Sequence, residues 1–417
     1  MSTLTSTPAI AEQPSTGIVG QPVRTRVVSL DIFRGFAMAV MIFVNDLSDV
    51  KGLSRWTYHI PRDIDAMSYV DLVYPFFLFA VGLSLPLAIR QRLHRDSSLP
   101  RLWFHILTRC ATLIVLGLVI ANAPNADPYL MPMRGSLWAL LTLLGGILLL
   151  AVYPPAVPRK VTSALRGLGG LAVIVLFALF RRHLPDGSPA WLDFSYPEIL
   201  GLIGLTYVAV CLLYIPTRRL FWAPLGWFVL LLLFNCACVA HWITPPVPRV
   251  PMYVFPFDNG AMSAITMGGV VISGIFLNDR LRSQPRRQVA LGALFAVTCA
   301  VLGLALRPLG ISKIRATPTW ALWSLAAATA IFSLFYLLCD LWKRTGWAWL
   351  FRAPGANTLL TYLLPDLTYY LLAWLHLTYL LGHWNHGLPG ILRSVCFTLA
   401  ILLLSRAITQ AKLRLQL

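Results

Sequence analysis

The sequence contains two neighbouring apolar stretches that decide its fold, SLDIFRGFAMAVMIFVNDLSDV at residues 29–50 and SYVDLVYPFFLFAVGLSLP at residues 68–86. Each is close to the ~20 residues that an α-helix needs to cross ~30 Å of hydrocarbon. Asp31 and Arg34 nevertheless stand at the head of the first stretch, and Asp71 stands at the head of the second. Because a charged side chain in hydrocarbon costs roughly 3 kcal/mol, we predict that a functional site lies between these helices.

The composition of the whole chain is that of an integral membrane protein. Of its 417 residues, 58% are hydrophobic and 12% are charged, and the mean hydropathy is +0.71. We predict an all-α, polytopic membrane helix bundle with about 10–12 transmembrane helices, because twelve apolar stretches follow one another. They lie at approximately 29–47, 68–89, 102–121, 135–153, 164–180, 197–215, 220–240, 261–278, 288–306, 318–339, 355–381 and 388–408.

The first residues of the chain are rich in Ser, Thr, Pro and Gln and lack the apolar core of a signal peptide. We therefore predict a disordered cytoplasmic tail at residues 1–28 and a single transmembrane domain at residues 29–417.

The distribution of Lys and Arg predicts how the helices are oriented. In alternate connections between the predicted spans, 21 of the 34 basic residues lie on one side and 11 lie on the other. The positive-inside rule then places both termini in the cytoplasm. The net charge of +18 is scattered between apolar spans and forms no basic face, so we expect a lipid bilayer as partner and no nucleic acid.

The first predicted hairpin brings three polar side chains to one membrane face. Asn45 ends the first span, Asp71 opens the second, and His59 lies on the connection between them. A histidine can accept a proton near neutral pH, and an amide can donate to a developing oxyanion, so an active site is one interpretation. The alternative is that His59 is a solvated loop residue and that Asn45 is a helix cap.

Other polar positions give weaker signals. Asp366 follows a proline inside the eleventh stretch, where a buried acid either lines a cavity or has a structural role. Gly355 and Asn357 open that stretch, where small residues permit close helix packing or the close approach of a ligand. His383 and His386 have a metal-compatible spacing but no further ligand near them in sequence, so we predict no metal site.

Several segments carry a resemblance to a known family. They are SLDIFRG at 29–35, MIFVN at 41–45, His59, DLVYPFFLF at 71–79, LWALL at 137–141, GISK at 310–313, TPTW at 317–320 and GANTLLTY at 355–362. Together they resemble the heparan-α-glucosaminide N-acetyltransferase family, and most closely its bacterial branch, which is often labelled a domain of unknown function. Between His59 and Asp71 the family commonly has a Trp and a Gly, whereas this chain has no Trp there and has Ala66 in place of the Gly.

This resemblance implies an enzyme of the bacterial inner membrane. It would take an acetyl group from cytoplasmic acetyl-CoA and deliver it to an amino sugar on the periplasmic side, with His59 and Asn45 as the catalytic residues. The altered stretch after His59 leaves a different glucosamine-bearing acceptor open. The resemblance also leaves open whether the amine attacks directly or through an acetyl-histidine, and whether the chain forms a homo-oligomer.

The same resemblance suggests where acetyl-CoA would bind. Arg34 would meet a CoA phosphate or pair with Asp31, and Gly355 and Asn357 would line the path of CoA. Lys313, in the GISK segment, is a further site candidate.

Two other classes of function compete with an acetyltransferase. A secondary transporter suits twelve spans with both termini inside, but the two halves of the chain show no similarity. A membrane scaffold without catalytic activity accounts poorly for the charged residues inside the spans.

Overall fold

The structure is a computed structural model that describes residues 27–243, 259–278, 281 and 283–415. The predicted tail lies almost entirely outside the described residues. The α-helices are α1 (Val28–Leu47), α2 (Val73–Arg95), α3 (Leu99–Asn122), α4 (Gly135–Leu150), α5 (Arg159–Leu179), α6 (Glu198–Thr217), α7 (Ala223–Val239), α8 (Ala261–Phe276), α9 (Pro285–Ala305), α10 (Pro318–Phe335), α11 (Trp349–Ala356), α12 (Thr358–Trp374), α13 (Tyr379–Gly382) and α14 (Gly387–Gln410).

Short irregular elements join these helices. Two-residue strands form two antiparallel pairs, β1 (Ala151–Val152) with β4 (Arg414–Leu415) and β2 (Arg182–His183) with β3 (Pro189–Ala190). A π-helical turn at Tyr336–Leu341 continues α10. Single 3₁₀ turns occur at Arg55–Thr57, Tyr69–Leu72, Ala123–Asn125, Arg307–Leu309 and Gly346–Ala348.

The predicted all-α membrane architecture is confirmed. Eight helical segments in the described part are long and apolar enough to cross a bilayer, and α4, α7 and α8 are shorter apolar helices. Each of the twelve predicted stretches overlaps at least one α-helix. The eleventh differs most, because the chain leaves helical geometry at Asn357, where φ is −132° and ψ is 52°, and divides into α11 and α12.

Helix α1 lies at the centre of the bundle and packs against α2, α10, α11, α12 and α14. Phe33 of α1 is fully buried, and its ring meets those of Phe79 at 5.4 Å and Phe332 at 6.0 Å between centroids. Such edge-to-face pairs add to the burial of apolar area, so this aromatic cluster joins α1 to α2 and α10. The polar connection between α1 and α2 therefore starts and ends on the most buried part of the molecule.

The start of the connection between α1 and α2 contacts α14 and the residues just before it. The Asp46 carboxylate, which is 2% exposed, pairs with Arg393 of α14 at 3.0 Å and accepts a hydrogen bond from Tyr369 of α12. The backbone N–H of Lys51 donates to the Asn385 carbonyl oxygen at 2.9 Å. These contacts hold the start of the segment that carries His59.

Candidate active site

The centre of the candidate site is a histidine–carboxylate pair. Nδ1 of His59 lies 2.8 Å from Oδ1 of Asp71, so two of the three polar side chains of the predicted hairpin are in contact. The Asp71 side chain is 2% exposed, whereas the His59 side chain is 48% exposed. With Nδ1–H donating to Asp71, the tautomer assigned from this hydrogen bond leaves the lone pair of Nε2 available for chemistry.

Asp71 is held in place by its own neighbourhood. The Ser68 backbone N–H donates to Oδ2 of Asp71 at 3.0 Å, which forms a capping box at the turn that leads into α2. The Trp320 indole N–H donates to the Asp71 carbonyl oxygen at 3.0 Å. Trp320 is fully buried in α10, so α10 fixes the residue that orients His59.

Lys313 reaches the same histidine from the loop before α10. Its Nζ lies 3.4 Å from both ring nitrogens of His59. Burial lowers the pKa of Lys313 below that of a free lysine, and the carboxylates of Asp71 and Glu198 act in the opposite direction. Lys313 is predicted as a site residue only from the family resemblance. It lies 254 residues after His59 in the sequence, and no local pattern predicts a contact over such a separation.

The loop that carries Lys313 is internally braced. The Ser312 backbone N–H donates to Oγ1 of Thr317 at 3.0 Å. Arg315 pairs with Asp65 of the α1–α2 connection, and this guanidinium holds the pKa of the Asp65 carboxyl below its usual range. The two loops that meet at His59 are therefore tied to each other by a second contact.

Two more carboxyl groups lie deeper in the bundle. Glu198, at the start of α6, accepts hydrogen bonds from the Tyr362 hydroxyl at 2.9 Å and from the Leu200 backbone N–H at 3.0 Å. It meets α12 through Tyr362, and Asp366 lies four residues further along that helix, so Tyr362 and Asp366 share one face of α12. The sequence analysis missed Glu198, although an acid at the head of an apolar span was the signal used for Asp71.

Glu198 also has an unusual backbone. Its φ of 57° lies in the left-handed region, which an L-residue other than Gly adopts at a cost of about 1–3 kcal/mol. The contacts with Tyr362 and Leu200 hold the residue in this conformation.

The structure does not bring Asn45 into contact with His59. Asn45 is exposed near the end of α1, and its side chain makes no hydrogen bond to His59 among the described residues. Asp31 and Arg34 are half-buried near the opposite end of the same helix. With a rise of 1.5 Å per residue, Arg34 and Asn45 are separated by about 16 Å along α1.

The residues predicted to line a CoA path have structural contacts. Asn357 is 1% exposed, and its amide N–H groups donate to Oγ1 of Thr409 at 3.1 Å and to the Leu413 carbonyl oxygen at 3.0 Å. Its Oδ1 accepts from the Leu415 backbone N–H at 3.1 Å. A Cβ added at Gly355 would lie 1.7 Å from the Asp31 carbonyl oxygen, so this glycine permits α11 to touch α1. The CoA role of both residues stays a prediction that these contacts do not support.

Among the described residues, no group of three or more His, Cys, Asp or Glu side chains has the geometry to hold a metal ion. The reactive groups present at the site are an imidazole, an ammonium and several carboxyls.

Parts of the sequence are similar to one protein family and to two curated proteins. Residues 26–243, just over half of the chain, match the family described as a domain of unknown function (DUF5009). Human heparan-alpha-glucosaminide N-acetyltransferase is 36% identical over 100 residues, which are 24% of this chain and 14% of the human protein. The mouse protein of the same name is 34% identical over 100 residues, with the same coverage. The chain thus aligns with about a seventh of the length of these curated relatives.

Proposed function

We propose a transmembrane acetyltransferase activity for this chain, which belongs to the DUF5009 family. The donor would be acetyl-CoA, and the acceptor would be the amino group of an amino sugar. The observation that carries the proposal is the contact of His59 with Asp71 and Lys313 at the end of the α1–α2 hairpin. The partial similarity to heparan-alpha-glucosaminide N-acetyltransferases supports the reaction class.

The pair of His59 and Asp71 suits the removal of a proton from an attacking amine. Asp71 orients the imidazole through Nδ1 and stabilises the imidazolium that forms when Nε2 accepts a proton. The amine nitrogen forms a bond to the thioester carbonyl carbon, and the bond from that carbon to sulfur breaks. The thiolate of CoA leaves and takes up the proton that His59 received.

The same geometry accommodates a covalent route. Nε2 of His59 would then attack the thioester carbonyl carbon itself, and the bond from that carbon to sulfur would break to release the CoA thiolate. In a second step the amine nitrogen would attack the same carbon, the bond from carbon to Nε2 would break, and the amine would lose its proton to the departing thiolate or to water. Both routes require the free lone pair on Nε2, so trapping an acetylated enzyme in the absence of acceptor is the measurement that separates them.

Lys313 supplies a positive charge where negative charge develops. A protonated ammonium 3.4 Å from the imidazole is placed to donate to the carbonyl oxygen of the thioester as it becomes an oxyanion. In this proposal Asn45 is the second polarising group.

The experiment is an acetyl-transfer assay on the purified full-length chain in nanodiscs, with acetyl-CoA and glucosamine as substrates. We expect His59→Ala to lower turnover by about 100- to 10,000-fold. His183→Ala is the matched control, because Nδ1 of His183 also lies close to an aspartate, 2.6 Å from Oδ2 of Asp127, but outside this site. Near-normal turnover by a folded His59→Ala variant would contradict the proposal.

A further inference from the structure

A cavity of about 590 Å³ lies at the opposite end of the bundle from His59. It is enclosed by the C-terminal ends of α2, α6 and α8 and by the start of α7, and Arg90, His94, Arg218 and Gly274 are among its lining residues. Because the chain direction alternates along the bundle, this is the end at which α1 starts and α14 ends. The positive-inside rule predicts that it faces the cytoplasm.

Helices α2 and α8 together form one wall of the cavity. These helices touch closely at two glycines: an added Cβ would lie 1.8 Å from the Thr266 carbonyl oxygen at Gly82 and 2.3 Å from that of Phe79 at Gly269. Pro86 follows about one turn after Gly82, and a proline inside a helix removes a backbone hydrogen bond and bends it. Further along α8, Gly274 is exposed and an added Cβ there would meet nothing within 4 Å, so the cavity is open beside it.

The side chains that line the cavity are of two kinds, apolar and basic. Its wall is apolar and includes Ile89, Leu93 and Val270, whereas Arg90, His94 and Arg218 supply basic groups. Among the described residues that line the cavity, none is acidic. Arg218 is partly fixed, because its guanidinium donates to the Ile215 carbonyl oxygen at 2.6 Å.

We propose that this cavity binds the phosphate group of an amphiphilic ligand. Guanidinium groups match phosphate oxygens in geometry and charge, and the apolar wall would accept a chain attached to the phosphate. Basic pockets between transmembrane helices on the cytoplasmic side bind anionic lipid headgroups in this way. Coenzyme A carries the same phosphate chemistry, and only that source of the ligand rests on the proposed acetyltransferase function.

The cavity is also a suitable size for such a ligand. Small-molecule sites commonly enclose about 300–1,000 Å³, and this cavity falls within that range. The exposed side chains of Leu220 and Phe221, two lining residues in the connection between α6 and α7, are placed to lie among lipid chains beside its mouth.

The test measures binding to the full-length chain in detergent with two probes, phosphatidylglycerol and coenzyme A, by native mass spectrometry and thermal shift. Arg218→Gln should weaken binding of the true ligand about tenfold, the loss expected for one charged hydrogen bond. Arg219→Gln is its control, because this exposed neighbour does not line the cavity. Gly274→Phe should fill the open space and abolish binding, and Gly167→Phe is its control at another open position.

The outcomes separate the two sources. Binding of phosphatidylglycerol that Gly274→Phe abolishes, with no response to coenzyme A, supports a lipid site whether or not the chain is an acetyltransferase. Binding of coenzyme A with the same sensitivity supports a donor site. The proposal is overturned if neither probe binds more tightly than phosphatidylcholine, or if Gly274→Phe and Gly167→Phe affect binding equally.

Discussion

Among single residues, Asp71 offers the sharpest test of how His59 is activated. Asp71→Asn keeps the size of the side chain but lets an amide N–H face Nδ1, which favours the imidazole tautomer with its proton on Nε2. We expect turnover to fall by up to roughly 10,000-fold, with little change in the KM for acceptor. Asp63→Asn, at an exposed position of the same connection, is the control and should leave turnover unchanged.

The charge of Lys313 predicts a particular dependence on pH. The charged form of a lysine exists below its pKa, and burial lowers that pKa below 10.5. If the ammonium stabilises the oxyanion, activity must fall as pH rises through this lowered value. Lys313→Arg should move the alkaline loss of activity to higher pH, because a guanidinium stays charged. If the Lys313→Arg variant is active but loses activity at the same alkaline pH as the unsubstituted protein, then titration of Lys313 does not cause that loss.

At the scale of helices, the contact between α1 and α11 decides what Gly355 does. An alanine there would place its Cβ against the Asp31 backbone, and overpacking of this kind costs about 1–3 kcal/mol. We expect Gly355→Ala to lower the thermal midpoint of the purified protein. Gly346→Ala, where a Cβ meets nothing within 4 Å, should not lower it. A stable Gly355→Ala variant with a raised KM for acetyl-CoA would restore the predicted role in the CoA path.

The helices can be predicted from the sequence more fully than the side-chain contacts of the candidate site. Long apolar stretches predict the helices because a bilayer requires them, and the hairpin predicts that His59 and Asp71 lie at one membrane face because α1 and α2 are consecutive. Their contact at 2.8 Å is visible only in the structure. Glu198 and Lys313 join the site through contacts between distant segments, which no local pattern contains. Asn357 shows the converse, since its position at a helix start suggested a ligand whereas its partners are in the C-terminal segment.

For the whole molecule, the two ends of the bundle have different chemistry. His59, Asp71 and Lys313 meet at one end, and the basic cavity beside Arg218 lies at the other. Glu198 at the start of α6 and Asp366 on α12 are half-buried, and Glu198 accepts a hydrogen bond from Tyr362 of α12, so polar groups continue inward from the His59 end. In the proposed function, an acetyl group would enter from the cytoplasm and move toward the His59 end of the bundle. The proposal therefore requires the His59 end to face away from the cytoplasm.

Cysteine labelling tests that orientation directly. We expect a cysteine in place of Asp63, on the exposed connection after His59, to react with a membrane-impermeant maleimide added outside spheroplasts. A cysteine in place of Ser97, in the exposed connection between α2 and α3, should react only after the membrane is opened, because 21 of the basic residues lie on that side. Both variants belong in a background with Cys396→Ser, since Cys396 is the exposed native cysteine. The reverse pattern would place His59 in the cytoplasm beside acetyl-CoA, and transfer across the membrane would then have no structural basis.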